Sequence, residues 1–141
     1  MPWAVRHRDT VPHLQFETTE PLDAAQKETV AEWVTGHYAE LMETGTDHVG
    51  VTVRDGAFLT LGRATSDEPV AFLNADIRAG RSFEQRRELA EAVIEALAEH
   101  WDVPPENTYV VYTEHDGEAF HLSEGALASW SDSEAAGDGP I

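Results

Sequence analysis

The sequence lacks cysteine, is poor in lysine and contains no long apolar segment. Without cysteine, disulfide bonds and thiolate chemistry are excluded. Lys27 is the only lysine, and 27 acidic residues outnumber 9 basic ones, which gives a formal net charge of −18. Such a charge repels nucleic-acid phosphates and anionic membranes, so neither is expected as a partner. No apolar run approaches the ~20 residues that span a bilayer. The segment Met1–Asp9 also has no stretch typical of a signal peptide, which predicts a cytoplasmic protein.

Apolar residues make up 41% of the 141 residues, which is enough for one domain with a buried core. The acidic excess resembles the composition of proteins from halophilic, salt-accumulating cells. Self-repulsion among acidic side chains destabilises a small fold in dilute buffer, but at molar salt the Debye length falls to about 3 Å and most of the repulsion is screened. The charge therefore bears on habitat rather than on activity.

Alternating apolar residues predict four main strands, and apolar residues at helical spacing predict two helices. The strands are predicted over residues 12–18, 48–54, 70–77 and 107–114. Asp23 with Gln26 predicts the start of the first helix, and Ser82 with Gln85 predicts a capping box at the start of the second. The turn signal Asp55-Gly56 further predicts that residues 57–61 return as a hairpin arm.

The chain divides into three predicted parts. Residues 1–11 show no regular period and are predicted to form an N-terminal arm. Residues 12–130 are predicted to form one domain, with repeat units at 12–61 and 70–127. Residues 131–141 are too polar to pack and are predicted to be a disordered acidic tail.

The sequence repeats itself at an offset of 59 residues, the separation of Leu14 and Leu73. Gln26-Lys27 and Gln85-Arg86 match at the same offset. Each copy is a strand–helix–strand unit, whose helical crossover makes its two strands parallel neighbours. Two such units predict an α+β fold with a four-stranded mixed sheet backed by two helices on one face. The other face has no cover within the chain, so symmetric self-association is expected.

Two arginines, Arg78 and Arg81, flank the turn between the third strand and the second helix. A guanidinium presents a planar fork of donors that fits a carboxylate. Two of them at a strand-to-helix corner are therefore candidates for holding a small organic acid. The alternative is that both pair with the protein's own abundant carboxylates.

The second half of the chain contains a specific series of motifs. An alternating strand leads into Gly80-Arg81-Ser82 and a helix that opens with Glu84-Gln85-Arg86, and after a proline-containing break the last strand ends in Thr113-Glu114. This series resembles the 4-oxalocrotonate tautomerase superfamily. The doubled unit is similar to the fused members, which include 5-carboxymethyl-2-hydroxymuconate isomerase, malonate semialdehyde decarboxylase and cis-3-chloroacrylic acid dehalogenase. The resemblance covers residues 12–130.

The resemblance implies a tautomerase/MIF-like fold, a homotrimer of doubled units and catalysis without a cofactor or metal. It also implies an amino-terminal proline as the acid–base residue. A rigid secondary amine in an apolar pocket near cations has a lowered pKa, so that a fraction accepts a proton at neutral pH. By position this proline is Pro12, with Arg78 and Arg81 binding the substrate carboxylate. The expected reaction is keto–enol tautomerisation of a small 2-keto or 2-hydroxy unsaturated carboxylic acid.

Pro12 departs from the family pattern because it is not terminal in the sequence as written, and an amide nitrogen has no basic lone pair. Three explanations stand open: translation from Val11, processing that exposes Pro12, or loss of the catalytic residue. Pro2, exposed once Met1 is removed, is a fourth candidate. The rival function is a non-catalytic oligomeric binding module of the same fold, with its proline capped by residues 1–11.

Other positions match the family less closely. His37 lies beside the helix position of a histidine in the dehalogenase branch, and Tyr112 lies beside that branch's strand tyrosine. Glu114 ends the shared Thr-Glu motif, and Phe120 resembles an aromatic at the pocket wall of the short tautomerases. Because no water-activating set matches, a dehalogenase- or decarboxylase-like reaction is the less favoured alternative.

Four further histidines raise the question of a metal site. No pair among them has the i, i+4 spacing of two ligands on one helix, so no metal is expected. Surface positions are predicted for all four, namely His48, His100, His115 and His121.

Overall fold

The computed structural model describes residues 11–123 and the backbone of residues 125–126. Residues 1–10 of the predicted arm and the predicted tail at 131–141 lie outside the described residues. The described chain forms two helices, a main sheet and a short hairpin near its C-terminal end. In chain order these are β1 His13–Thr18, α1 Ala24–Met42, β2 Gly50–Arg54, β3 Ala71–Arg78, α2 Phe83–Trp101, β4 Thr108–His115, β5 His121–Leu122 and β6 Gly125–Ala126.

The main sheet has the strand order β2-β1-β3-β4. β1 is parallel to β2, β3 is parallel to β4, and the two pairs meet where β1 runs antiparallel to β3. Each parallel pair is one strand–helix–strand unit, so the predicted four-stranded mixed sheet with two backing helices is confirmed. Since β2 and β4 are the two edge strands, each unit leaves one edge without a backbone partner in this sheet.

The core lies between one face of the sheet and the two helices. Leu14 and Phe16 on β1 and Leu73 on β3 are fully buried, as the alternation of the sequence predicts. The helices cover them with residues at helical spacing, which are Val30, Val34 and Tyr38 on α1 and Leu89, Val93, Leu97 and Trp101 on α2. Neither helix has the length and apolar character that crossing a bilayer requires, among the residues described. The opposite face of the sheet is called the open face below.

Both predicted helix starts are confirmed, each has a capping box, and each glutamine also joins the two helices. Gln85 accepts a hydrogen bond from the backbone N–H of Ser82 at 2.9 Å and donates one to the carbonyl of Leu41 at 3.0 Å. Gln26 does the same with Asp23, and its amide donates to the carbonyl of His100 at 3.4 Å. The start of each helix therefore contacts the end of the other, so the helices are antiparallel.

The predicted hairpin arm at residues 57–61 is wrong. After β2 the chain crosses the end of β1, where the backbone N–H of Ala57 donates to the carbonyl of Thr18 at 2.9 Å. Asp55 does not serve a hairpin turn, because its carboxylate accepts hydrogen bonds from the backbone of Leu22 at 2.8 Å and from Lys27 at 3.3 Å. Alternation in this segment did not reflect burial, since Phe58 is 92% exposed.

Candidate active site

One end of the sheet gathers the start of β1 and the ends of β3 and β4. The antiparallel register pairs His13 with Asp76, which places Pro12 beside the last residues of β3. Pro12 is buried, and its carbonyl oxygen accepts a hydrogen bond from the backbone of Gly50 at 3.0 Å, at the start of β2. The parallel register pairs Arg78 with His115 at the end of β4. The sheet topology therefore brings together segments that are far apart in the sequence.

The turn at residues 78–81, called the arginine corner below, connects β3 to α2. Gly80 has a φ of 110°, a left-handed conformation that residues with a Cβ rarely adopt. The backbone N–H of Ala79 donates to the carbonyl of His115 at 2.8 Å, which ties the turn to β4. Ser82 then caps α2. These constraints hold both arginines at the same end of the sheet as Pro12.

The two guanidinium groups of the arginine corner lie near each other. Arg78 is 6% exposed, and burial lowers the pKa of its guanidinium. The positive charge of Arg81 lowers this pKa further, as expected when two cations are neighbours. Arg81 makes no ion pair with any residue of the described chain. The corner therefore carries two neighbouring positive charges at one end of the sheet.

Two of the predicted site residues on β4 contact α2. The carboxylate of Glu114 lies 3.3 Å from a guanidinium nitrogen of Arg86. The hydroxyl of Tyr112 donates a hydrogen bond to the backbone carbonyl of Arg86 at 2.7 Å. Burial is the main cause that raises the pKa of the Tyr112 phenol. Both side chains therefore join the sheet to the first turns of α2.

The other two predicted residues occupy different surroundings. His37 lies on α1, where its ring stacks on Trp33 with centroids 5.0 Å apart, so it belongs to the helix layer. The ring of Phe120 lies edge-on to His115 with centroids 5.5 Å apart. Because His115 is the sheet neighbour of Arg78, Phe120 borders the arginine corner and His37 does not share these contacts.

The open face carries a polar cluster that the sequence analysis did not predict. His115 Nε2 lies 2.8 Å from Asp76 Oδ1, and Gln15 Nε2 donates to the other carboxylate oxygen at 3.0 Å. His115 was predicted as a surface histidine, but its side chain is 34% exposed and is hydrogen-bonded. The sequence pattern that could have indicated this cluster is the alternation of β3, which places Asp76 and Arg78 on the same face of the sheet. It became informative only once the register placed His115 beside them.

Neither of two grooves on the isolated chain includes Pro12 or the arginines. A groove of about 440 Å³ lies between α1 and β2, and one of about 490 Å³ lies along α2 near Pro105. Among the described residues, no group of three or more histidine, aspartate or glutamate side chains is arranged to hold a metal ion.

Comparison with known proteins shows what this chain is similar to. Residues 72–123 match the family model described as tautomerase enzyme, while no curated protein sequence matches the chain significantly. The solved structure of Leishmania major MIF2 has a TM-score of 0.73 and 16% identity, covering 82% of this chain and 97% of that one. A member of the cis-3-chloroacrylic acid dehalogenase family has a TM-score of 0.69 and 24% identity, covering 81% and 82%. A fused 4-OT protein solved as an asymmetric trimer has a TM-score of 0.71 and 17% identity, covering 83% and 97%.

These structural similarities establish the fold, and the family match adds a sequence relationship for the segment that contains both arginines. The chain therefore has the fold of the solved MIF and 4-OT structures, and its residues 72–123 match the tautomerase family model.

Proposed function

We propose that this protein is a tautomerase acting on a small 2-keto or 2-hydroxy unsaturated carboxylic acid. Pro12 is the proposed acid–base residue, and Arg78 and Arg81 bind the substrate carboxylate. The observation that carries the proposal is the meeting of the head of β1 with the arginine corner at one end of the sheet. The match of residues 72–123 to the tautomerase family model supports the same reaction class.

The electrostatics of the arginine corner suit this chemistry. Removing a proton next to a carbonyl develops negative charge on the carbonyl oxygen, so nearby guanidinium groups stabilise the transition state. Burial, and then repulsion by Arg81, lower the pKa of Arg78. The negative charge of a substrate carboxylate offsets that repulsion. Because Arg81 has no ion-pair partner within the described chain, it is available to contact a ligand. Pairing with the protein's own carboxylates, the alternative for this side chain, has no support from these contacts.

A homotrimer built from domains of residues 12–130 is part of the proposal. Apolar side chains on the open face favour association, because Tyr109 and Val111 are 44% and 45% exposed and Phe72 stacks on Tyr109 with centroids 4.4 Å apart. The edge strands β2 and β4 offer backbone groups to a neighbouring chain. The fused 4-OT relative was itself solved as a trimer.

One specific observation favours a second candidate function. Pro12 follows Val11 in an amide bond in the sequence as given, and an amide nitrogen is not a base. If Pro12 stays in this form, the protein is an oligomeric module that binds a small carboxylate through the arginine corner without proline-based catalysis. The two functions share the fold and differ at one nitrogen atom.

Two versions of the chain test the proposal, one beginning at Met1 and one at Pro12 with a free amine. Both are assayed in high salt for ketonisation of phenylenolpyruvate, followed by the loss of enol absorbance. The tautomerase proposal predicts catalysis by the chain with a free Pro12 and its loss in Pro12→Ala. Mass spectrometry of the amino terminus from the native host determines which form exists in cells.

Two results would contradict the proposal. A chain with a free Pro12 that is folded, trimeric by light scattering and inactive toward 2-keto and 2-hydroxy acids removes the tautomerase assignment. If that same chain binds small carboxylates by calorimetry, the binding module replaces it. A monomer in high salt contradicts the predicted assembly independently of activity.

A further inference from the structure

We propose, on the basis of the tautomerase activity proposed above, that His115 is a second proton-transfer group of the same site, held as a base by Asp76. It serves the form of the chain in which Pro12 is amide-bonded. The substrate class is unchanged, namely a 2-keto carboxylic acid whose carboxylate contacts the arginine corner. The proton is moved by an imidazole on the open face, and a free amino-terminal proline is not required.

The hydrogen bonds of Asp76 fix its orientation toward His115. One carboxylate oxygen lies 2.8 Å from His115 Nε2, and the other accepts a hydrogen bond from Gln15 Nε2 at 3.0 Å. These three residues lie on three adjacent strands, and their strands are paired by the backbone ladder. With both oxygens engaged, Asp76 has little freedom to rotate away from the imidazole.

This arrangement selects the tautomer of His115. An ionised carboxylate only accepts hydrogen bonds, so the contact with Asp76 places the proton of the neutral imidazole on Nε2. Nδ1 then carries the lone pair, and no described residue donates a hydrogen bond to it. A carboxylate that orients one ring nitrogen also stabilises the imidazolium that forms when the other accepts a proton. Nδ1 is therefore the atom that acts as the base.

The surroundings of His115 connect it to the arginine corner. His115 is the Cα partner of Arg78, and neighbouring strands lie about 4.8 Å apart. Its carbonyl accepts the Ala79 N–H at 2.8 Å, and Phe120 covers one edge of its ring. In a 2-keto acid the carbon that loses a proton is two bonds from the carboxylate carbon. A carboxylate on the arginine corner thus brings that carbon near the end of β4.

The proton and electron balance needs no additional reactant. Nδ1 of His115 takes a proton from C3 of the substrate, and the C–H electron pair forms the C2=C3 double bond. The carbonyl π pair moves to the C2 oxygen, where a guanidinium of the arginine corner stabilises the negative charge before water protonates it. The imidazolium returns its proton to solvent. In the reverse direction the imidazolium delivers a proton to C3, so the net reaction is an isomerisation.

The charged groups around His115 include both signs. A general base acts in its unprotonated form, so activity should fall as the pH is lowered. Titratable and charged residues lie on every neighbouring element, namely Asp76 and Arg78 on β3, Arg81 in the turn, His13 and Glu17 on β1, Tyr109, Tyr112 and Glu114 on β4, Asp116 and Glu118 after β4, and His121 on β5.

The test uses the full chain from Met1 with phenylpyruvate as the probe. Exchange of the C3 hydrogens for deuterium is followed by NMR in high salt across pH 5–9, for the native sequence and for His115→Gln. Glutamine at this position keeps a donor for Asp76 and therefore preserves the fold, which thermal unfolding checks. Asp76→Asn is the second variant. His100→Gln, in the last turn of α2 far from the arginine corner, is the matched control.

We expect His115→Gln to lower kcat by at least about 100-fold, within the range of general base catalysis. KM should change by less than about threefold, because the arginines that bind the carboxylate are untouched. The acidic limb of the pH profile should vanish in this variant. Asp76→Asn should lower kcat by at least about tenfold, because the imidazole loses its orienting carboxylate. His100→Gln should leave the profile unchanged.

Three outcomes overturn the proposal, and they separate it from the tautomerase proposal itself. If the full chain is active and His115→Gln changes kcat by less than threefold, His115 is not the base although the tautomerase activity stands. If the full chain is inactive and a chain beginning at Pro12 is active, proline alone moves the proton. If both chains are inactive toward every 2-keto acid tested, both proposals fail together.

Discussion

Arg81→Ala separates a substrate-binding role from a structural one. Arg81 has no ion-pair partner in the described chain, and its positive charge repels that of buried Arg78. Removing the side chain therefore breaks no ion pair among the described residues and relieves a repulsion. We expect the free energy of unfolding to stay within about 0.5 kcal/mol of the native value or to rise, as for surface substitutions that break no contact.

The expected effect on catalysis is much larger. A charge-assisted contact to a substrate carboxylate and to the developing enolate should contribute about 2–4 kcal/mol to transition-state binding. This corresponds to a decrease in kcat/KM of about 30- to 900-fold, since each 1.36 kcal/mol is a factor of ten. KM should rise as well, because the carboxylate is bound in the ground state too.

The assay is ketonisation of phenylenolpyruvate in high salt, with urea unfolding measured on the same preparations. Arg87→Ala is the control, because Arg87 is an exposed helix residue paired with Glu84 at 2.8 Å and should leave kinetics unchanged. Unaltered kcat/KM in Arg81→Ala, or a loss of more than 1 kcal/mol of stability, would refute the reasoning and return Arg81 to a structural role.

Four more predictions concern stability. Gln85→Ala removes hydrogen bonds to Ser82 and to the carbonyl of Leu41 and should lower the free energy of unfolding by about 1–3 kcal/mol. Gln26→Ala should cost less because its bond between helices is longer, at 3.4 Å, and equal losses in urea unfolding would contradict this comparison. Burial raises the pKa of the Tyr112 phenol above that of the unfolded chain. The stability that this difference contributes is fully present below about pH 10, where the unfolded phenol begins to ionise, and is lost as the pH rises through the folded pKa. Tyr112→Phe should therefore flatten the alkaline decline in stability measured by urea unfolding. Finally, raising NaCl from about 0.1 M to about 1 M should raise Tm, because screening weakens self-repulsion at a net charge of −18; a constant Tm would show that this repulsion is unimportant.

Most of the fold could be predicted because its signals are local and repeated. Alternation identified the buried face of β1 and β3, and Ser82 and Gln85 marked the start of α2. The error at residues 57–61 has a physical origin, because Asp55-Gly56 is a turn signal whatever follows it. Only the contacts of Asp55 with Leu22 and Lys27 show that the turn leads across the sheet end.

The site was predicted less completely. The motif around Arg81 singled out the arginine corner, and the fold brings Pro12 to the same end of the sheet. Strand alternation placed Asp76 and Arg78 on one face of β3, but it did not show that His115, 39 residues from Asp76, lies beside them. Histidine spacing along the sequence tests for two metal ligands on one helix, and it does not detect a partner on the adjacent strand.

The main strands and helices, the helix starts, the repeated unit and the two arginines at a strand-to-helix turn could all be predicted from the amino-acid sequence. Those features depend on periodicity and on contacts within a few residues, which a chain specifies locally. The side chains that meet across strands became known only from the folded chain, because strand register follows from packing of the whole core. That register places His115 beside Arg78 and orients it through Asp76.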